Sequence, residues 1–427
     1  MDVTRDGQIT CDEAAGRRDG AMSVGVEKHK PAPTHSFAMA SQTSGQFMLN
    51  DEQQAIRAAV REFGEAEIEP VASEYDESHE YPWDVVEKAA AADLVGPFIP
   101  AKYGGAGMDV LETAIVTEEL WRADPGIGAA IDLMAFNSTL YVMNNYATEE
   151  QKEEWFSGIA AGQKSIAIGI SEAAHGSDVA SIETRAERNG DEYVVNGEKM
   201  WISNGSIANA VLLVCKTDPG ARYDGISTIL VPLDADGVTT SKIDNKLGLH
   251  ASDTAEIVFD DVRVPAENLV GEENRGWQYF NEAMAPARVQ VAAQALGAAQ
   301  GALDAAIDYA QEREQFGQKI GEFQAIRHKI AEMATNVEAA RSLTYRAAGL
   351  YDAGEIELSE RFASIAKLFA SDRGFEVADE AVQVFGGAGY VTDHPVERYL
   401  RDVRVTKIYE GTNEIQKEII GNRLLGL

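Results

Sequence analysis

Cysteine is almost absent: the 427 residues contain two, Cys11 and Cys215. One lies in a polar stretch and the other in an apolar run far from it, which argues against a disulfide framework or a cysteine metal cluster. Basic residues are also scarce, 37 Lys and Arg against 70 Asp and Glu, for a formal charge of -33. A polyanion of this kind is repelled by nucleic acid and by anionic lipid, so neither is expected as a partner. The acidic surplus runs through the whole chain and is not gathered in a tail. That suits a protein kept soluble in concentrated salt, where screening weakens self-repulsion, and a halophile's cytoplasm is the expected setting. No apolar run approaches the length of a membrane span, and the first residues lack the apolar core of a signal peptide. A soluble protein in a reducing compartment is therefore expected, with Cys215 a buried small residue.

What is present is enough apolar material, 45%, to fill cores, and a length that calls for two or three domains. Residues 1–47 are polar and without periodicity, so a disordered leader is expected, with Met39 and Met48 as alternative starts. From Asn50 or Asp51, a capped helix carries Ile56, Val60, Phe63 and Ile68 as far as Pro70. Helices are expected again over Trp83 to Asp93, Val110 to Ala123, Ile131 to Asn145 and Glu149 to Ile159. The glycine-rich loop Tyr103 to Gly107 follows no apolar strand, which makes it a poor dinucleotide fingerprint.

Near Ser165 the period switches to two. Short strands are expected at Ile166 to Ile170, Val211 to Val214, Ile226 to Val231, Ala255 to Phe259 and Val262 to Val264. Asn196-Gly197 reads as the type I′ turn of a hairpin. After Gly276 long helical patterns return: Trp277 to Arg313, Phe323 to Ala353, Leu358 to Phe385 and the segment after Thr412. The expected fold is mainly α with a central β domain. It comprises an N-terminal helical domain (48–165), a middle antiparallel, barrel-like β domain (166–276) and a C-terminal four-helix bundle (277–427).

Four patches carry candidate chemistry. Glu410 stands at a break before a helix, in Tyr409-Glu410-Gly411-Thr412. Two readings stand: an acid favoured by a helix N-terminus, or a carboxylate packed against a ligand and made basic by desolvation. Ile168 to Asp178 joins a strand to a turn rich in hydroxyls and backbone donors that suit a flat heterocycle or a phosphate, or is an ordinary polar turn. His175 there is expected to face solvent. Lys199 to Gly205 puts Trp201 and Ser203 on one strand, where the indole packs either in a core or against a ligand. Arg313 to Gly317 and Gln383 to Gly389 combine an arginine, a loop aromatic and glycines, suited to a pyrophosphate or to helix termination.

Taken in order, Ser171-Glu172 with Gly176-Ser177-Asp178, Trp201 to Gly205, Arg313 with Phe316-Gly317, Gln383 with Phe385-Gly386-Gly387, and Tyr409 to Thr412 resemble the acyl-CoA dehydrogenase family from about residue 48 onward. The resemblance implies FAD as cofactor, an acyl-CoA substrate oxidised to trans-2-enoyl-CoA, an electron-transfer flavoprotein as acceptor, and a homotetramer. It implies that Glu410 takes the α-proton while hydride leaves the β-carbon for flavin N5. It implies flavin contacts at Ile170, Ser171, Gly176, Ser177, Trp201, Ser203, Thr412 and Glu414. Arg313, Gln315, Phe316, Gln324, Gln383, Gly386 and Gly387 would reach the FAD of a neighbouring subunit. Substrate contacts fall on Ser177, Arg288, Gly411 and Arg423, and no metal is implied. The chain departs from the family pattern at Ala173, His175 and Ala285. Some relatives place the base just before the arginine that matches Arg288, where this chain has Ala287. The alternatives are an oxidase, marked by peroxide production, and a non-catalytic flavoprotein whose flavin acyl-CoA fails to bleach.

Overall fold

The computed structural model describes residues 49–135 and 137–427, and the expected leader lies outside them. Asn50 opens the first helix, α1 (Asp51–Phe63), with a reciprocal cap. Its Oδ1 accepts from Gln53 N at 2.8 Å while Gln53 Oε1 accepts from Asn50 N at 3.2 Å. The expected continuation towards Pro70 winds as a wider π-helical turn, Gly64–Ile68. There follow α2 (Ala72–Ser78), α3 (Trp83–Ala91), α4 (Val110–Ala123), α5 (Pro125–Asp132), α6 (Asn137–Tyr146) and α7 (Glu149–Ala160). The single helix expected over Ile131 to Asn145 is instead broken between α5 and α6. Pro125–Tyr146 is long and apolar enough to cross a bilayer by composition, but it is mostly buried within the fold, as a core segment would be.

The middle of the chain forms β1 (Ile166–Gly169), β2 (Arg185–Asn189), β3 (Glu192–Ser203), β4 (Ala210–Lys216), β5 (Ile226–Pro232), β6 (Val238–Lys242) and β7 (Thr254–Pro265). They make one curled, seven-stranded sheet in the order β1-β4-β2-β3-β7-β6, with β5 on β4. The sheet is mixed, not purely antiparallel. β1 runs parallel to β4, Ile166 opposite Ala210, because a long excursion through β2 and β3 separates the two in sequence and frees their relative direction.

The Asn196-Gly197 turn is also corrected. β3 runs straight through it, and the ladder to β7 skips between Val195 and Gly197 as a bulge. Glycine is needed there for close approach, since a Cβ would lie 2.6 Å from Thr184 Cα. The hairpin turn is at Gly190-Asp191, between paired Asn189 and Glu192, with Gly190 at φ 67°. Cys215 is buried in the sheet, as expected, and burial pushes its thiol up to about 12.

The last segment contains α8 (Gly276–Glu312), the small hairpin β8 (Glu314–Gln315) and β9 (Gln318–Lys319), α9 (Gln324–Asp352), α10 (Ile356–Phe385), α11 (Val396–Val403) and α12 (Asn413–Leu425). Buried alanines such as Ala292, Ala295, Ala299 and Ala302 line α8 and let α10 and α4 pack close against it. At its N-terminal end α8 carries Phe280, Met284 and Ala287, which cluster with Ile168 and Ile170 at the end of β1. This apolar seam joins the sheet to the helical bundle. The next residue along α8 is Arg288.

Candidate functional site

Four fastenings hold the segment between α11 and α12. Half-buried Tyr409 donates its hydroxyl to Gln294 on α8. Gln416 Nε2 donates to Glu410 O at 3.2 Å and to Gly411 O at 2.9 Å. Lys367 Nζ on α10 donates to Gly411 O at 2.8 Å and to Asn413 Oδ1 at 3.0 Å. Thr412 caps α12, its hydroxyl oxygen accepting from Ile415 N at 3.4 Å. The backbone makes a left-handed corner, φ 52° at Glu410 and 82° at Gly411, a conformation that non-glycine residues rarely adopt. Such a corner persists only where its surroundings enforce it.

In contrast to the fastened turn, the Glu410 side chain has a buried Oε2 with no hydrogen-bond partner. The residue as a whole keeps some solvent contact, but this carboxyl oxygen has none. Burial raises the acid from its ordinary 4.5 to about 7, against the pull of Arg288 and Lys367 in the other direction. The buried Oε2 speaks against the water-facing reading, and the raised proton affinity points the same way. Arg288 is buried, with Nε unpartnered and Nη1 3.5 Å from Ser364 Oγ. Burial lowers it to about 10, while Glu410 and Glu360 counteract. The result is a carboxyl and a guanidinium, each with an unused buried atom, beside an apolar seam.

The Ile170 to Asp178 turn sits on that seam. Ile170 packs against the cluster ending at Ala287, and Met200 N donates to Ser171 O at 2.9 Å, which ties the turn to β3. A second bulge, between Lys199 and Ile202, turns Trp201 outward at φ 59° with 58% of its surface exposed. The core reading of Trp201 is therefore wrong: the bulge re-aims the ring that strand alternation would have buried. Ser203 lies half-buried two residues on, while Gly176 and Ser177 are exposed and His175 is half-buried. The outward indole on β3 and the hydroxyl-bearing turn next to it offer an apolar face and polar groups that fit a flavin, and the unpartnered Glu410 Oε2 and Arg288 Nε are polar groups that fit a thioester.

Sequence reasoning missed what lies underneath. Lys199 is fully buried and its Nζ donates to Ile170 O and to Glu172 Oε1, each at 2.8 Å. Glu172 also accepts from Glu183 N at 2.7 Å and Thr184 N at 2.9 Å. Burial opposes its charge, but Lys199 and these amides win and hold the carboxyl below its usual range. This pair braces Ile170 and Ser171 from behind. Small residues and two serines in the turn drew attention, but the structural anchor is the acid between Ser171 and Ser177.

The fourth patch is elsewhere. Arg313, Gln315, Phe316, Gln324, Gln383, Gly386 and Gly387 are all exposed at one end of the bundle, where Tyr309 of α8 stacks on Phe385 of α10 at 4.0 Å. From Arg288 to Arg313 the helix runs about 37 Å at 1.5 Å per residue, so the two patches do not meet within one chain. Glu414 is exposed on the first turn of α12, and Arg423 near its end pairs with Glu360 of α10.

Three family models match in order: the acyl-CoA dehydrogenase N-terminal domain over residues 50–163, the middle domain over 167–262 and the C-terminal domain over 274–425. The chain is 41% identical over 386 residues to the probable acyl-CoA dehydrogenase YngJ of Bacillus subtilis, covering 89% of this chain and 99% of that protein. It is 39% identical over 379 residues to the short-chain specific acyl-CoA dehydrogenase of Clostridium acetobutylicum, covering 88% and 99%. The solved butyryl-CoA dehydrogenase of Megasphaera elsdenii superposes with a TM-score of 0.83 at 37% identity, covering 89% of this chain and 99% of that one. The chain thus belongs to the acyl-CoA dehydrogenase family of FAD-dependent oxidoreductases, and its reaction is the dehydrogenation of acyl-CoA.

Proposed function

We propose that Glu410 is the base that takes the α-proton of the thioester, and that the substrate is a short-chain acyl-CoA. The observation that carries the first part is the buried, unpartnered Oε2 of a carboxyl raised to about 7. A base with that affinity is half ionised near neutrality and matched to accept a proton there. An α-C–H beside a thioester is a weak acid, so the developing enolate oxygen needs donors, and backbone N–H groups of the Glu410-Gly411 turn are assigned that task. Arg288 favours the ionised carboxyl, and Phe280, Met284 and Ala287 keep one flank dry. FAD, when bound, supplies the acceptor for the hydride that leaves the β-carbon.

The turn with Ile170 and Ser171, together with Trp201, Ser203 and Thr412, is assigned to the flavin. The exposed patch around Arg313, Phe316 and Gln383 is assigned to the FAD of a second copy, which makes a homotetramer the proposed assembly. Its separation of about 37 Å from Arg288 supports that division. The short-chain assignment is supported by the names of the Clostridium and Megasphaera relatives. An electron-transfer flavoprotein is the proposed acceptor, and the acidic surplus supports a saline cytoplasm as the setting. The test is anaerobic titration of the flavin absorbance with acyl-CoAs from butyryl to palmitoyl. Fastest bleaching by the short members is expected, and bleaching by the long ones alone would refute the substrate class.

A further inference from the structure

Lys367 has no part in the chemistry assigned so far, yet it is fully buried in α10. A buried ammonium is costly unless its hydrogens are satisfied. Both of its acceptors belong to the catalytic turn: Gly411 O at 2.8 Å and Asn413 Oδ1 at 3.0 Å. Asn413 is itself clipped to α10, its Nδ2 donating to Ser371 Oγ and to Asp372 Oδ1, each at 3.0 Å. Glu410 is thus followed by a backbone held by this cation from α10 and by Gln416 from α12. That cation also faces the carboxyl electrostatically, and Glu410 is the foremost of its charged neighbours. Arg288 on α8, Asp372 on α10 and Glu414 on α12 are the others. Burial lowers Lys367 to about 7, with the Glu410 charge opposing the drop.

We infer that Lys367 is a positioning residue for the base: it anchors the Glu410-Gly411 corner through Gly411 O and Asn413, and its charge favours the ionised form of Glu410. The inference rests on the reading of Glu410 as base. A purely structural clip between α10 and α12 would fix the turn without affecting the proton affinity of the carboxyl. The two roles therefore separate in a pH profile.

The experiment uses the FAD-loaded enzyme and compares K367M, which removes charge and hydrogen bonds, with K367Q, which keeps a donor, and K367R, which keeps the charge. Two quantities are read: the pH midpoint of anaerobic flavin reduction by butyryl-CoA, and hydrogen exchange of the amides from 409 to 413. Removing a nearby cation disfavours the carboxylate, so the midpoint moves to higher pH. The midpoint is expected to rise in K367M and K367Q and to stay near that of the unaltered enzyme in K367R. Exchange at the turn rises most in K367M. Midpoints of K367M and K367Q equal to that of the unaltered enzyme overturn the inference. If K367M does not fold, K367Q decides, since it can still donate to Gly411 O. E410Q is run alongside. If it reduces flavin normally, the assignment of the base is wrong; if it is inactive while K367Q keeps its midpoint, only the role of Lys367 is wrong.

Discussion

Replacing Glu410 by Gln should damage the enzyme and strengthen the fold, and both effects follow from one displaced proton affinity. The carboxyl is raised from 4.5 to about 7, chiefly by burial. A unit is worth about 1.4 kcal/mol, so the ionised carboxylate costs the fold on the order of 3 kcal/mol above pH 8. The sign follows from linkage: the folded chain holds a proton that the unfolded chain releases at lower pH. Stability therefore falls as pH rises from 4.5 through about 7. Glutamine keeps the shape and cannot ionise. Residual solvent contact trims the figure, so E410Q is expected to be about 1–3 kcal/mol more stable at pH 8.5 and nearly unchanged at pH 5. Its flavin should stay bound and yellow while reduction by acyl-CoA slows by about a thousandfold, within the range expected for loss of a general base. Urea denaturation at the two pH values and anaerobic stopped-flow absorbance read the two halves. Near-normal reduction, or a stability difference equal at pH 5 and pH 8.5, would refute the reasoning.

Four further expectations follow from the same structure. Flavin reduction under subsaturating acyl-CoA should rise with pH through about 7, because the carboxylate is the active form; a profile flat from pH 5.5 to 8.5 contradicts this. Gly411→Ala places a side chain at φ 82° and a Cβ 2.7 Å from Gln416 Nε2. It should cost about 1–2 kcal/mol and slow reduction without loss of flavin, as measured by absorbance ratio and rate. Lys199→Met strands the Glu172 carboxylate and should destabilise the fold by about 3–5 kcal/mol, with flavin lost on gel filtration. Asp402, pushed up to about 8 by burial and by Asp124, keeps Oδ1 on Leu249 N at 2.6 Å and leaves Oδ2 unpartnered. The fold therefore loses stability as pH rises from 3.8 towards about 8, and Asp402→Asn should flatten that decline in thermal melts.

Long elements were legible because their periods are strong. α4 was expected with the bounds it has, and α8 and α10 to within a residue or two at each end, α8 in spite of Pro286 within it. Short strands with polar faces escaped: β2 reads Arg-Ala-Glu-Arg-Asn, with Ala186 its one buried position, and no apolar alternation marks it. Asn196-Gly197 misled because the same dipeptide serves a turn or a bulge, and the difference lies in Thr184, which only the folded chain brings alongside. Glu410, Arg288 and Trp201 were singled out through the motifs around them. Lys199 and Lys367 were not given roles, since a lysine in a strand or helix pattern normally snorkels to water. Their burial is decided by partners 27 and 46 residues away, Glu172 and Asn413.

The order of synthesis has a bearing on this arrangement. The turn at Ile170, the indole at Trp201 and the guanidinium at Arg288 all leave the ribosome well before the corner at Glu410, and α12, which clamps that corner through Gln416, follows it. A growing chain can build the sheet and most of the bundle while the proposed proton acceptor is still missing. The candidate site is therefore completed only after α12 has emerged, and a chain cut before that helix would carry the sheet and α8 to α10 yet lack the Gln416 clamp on the Glu410 corner.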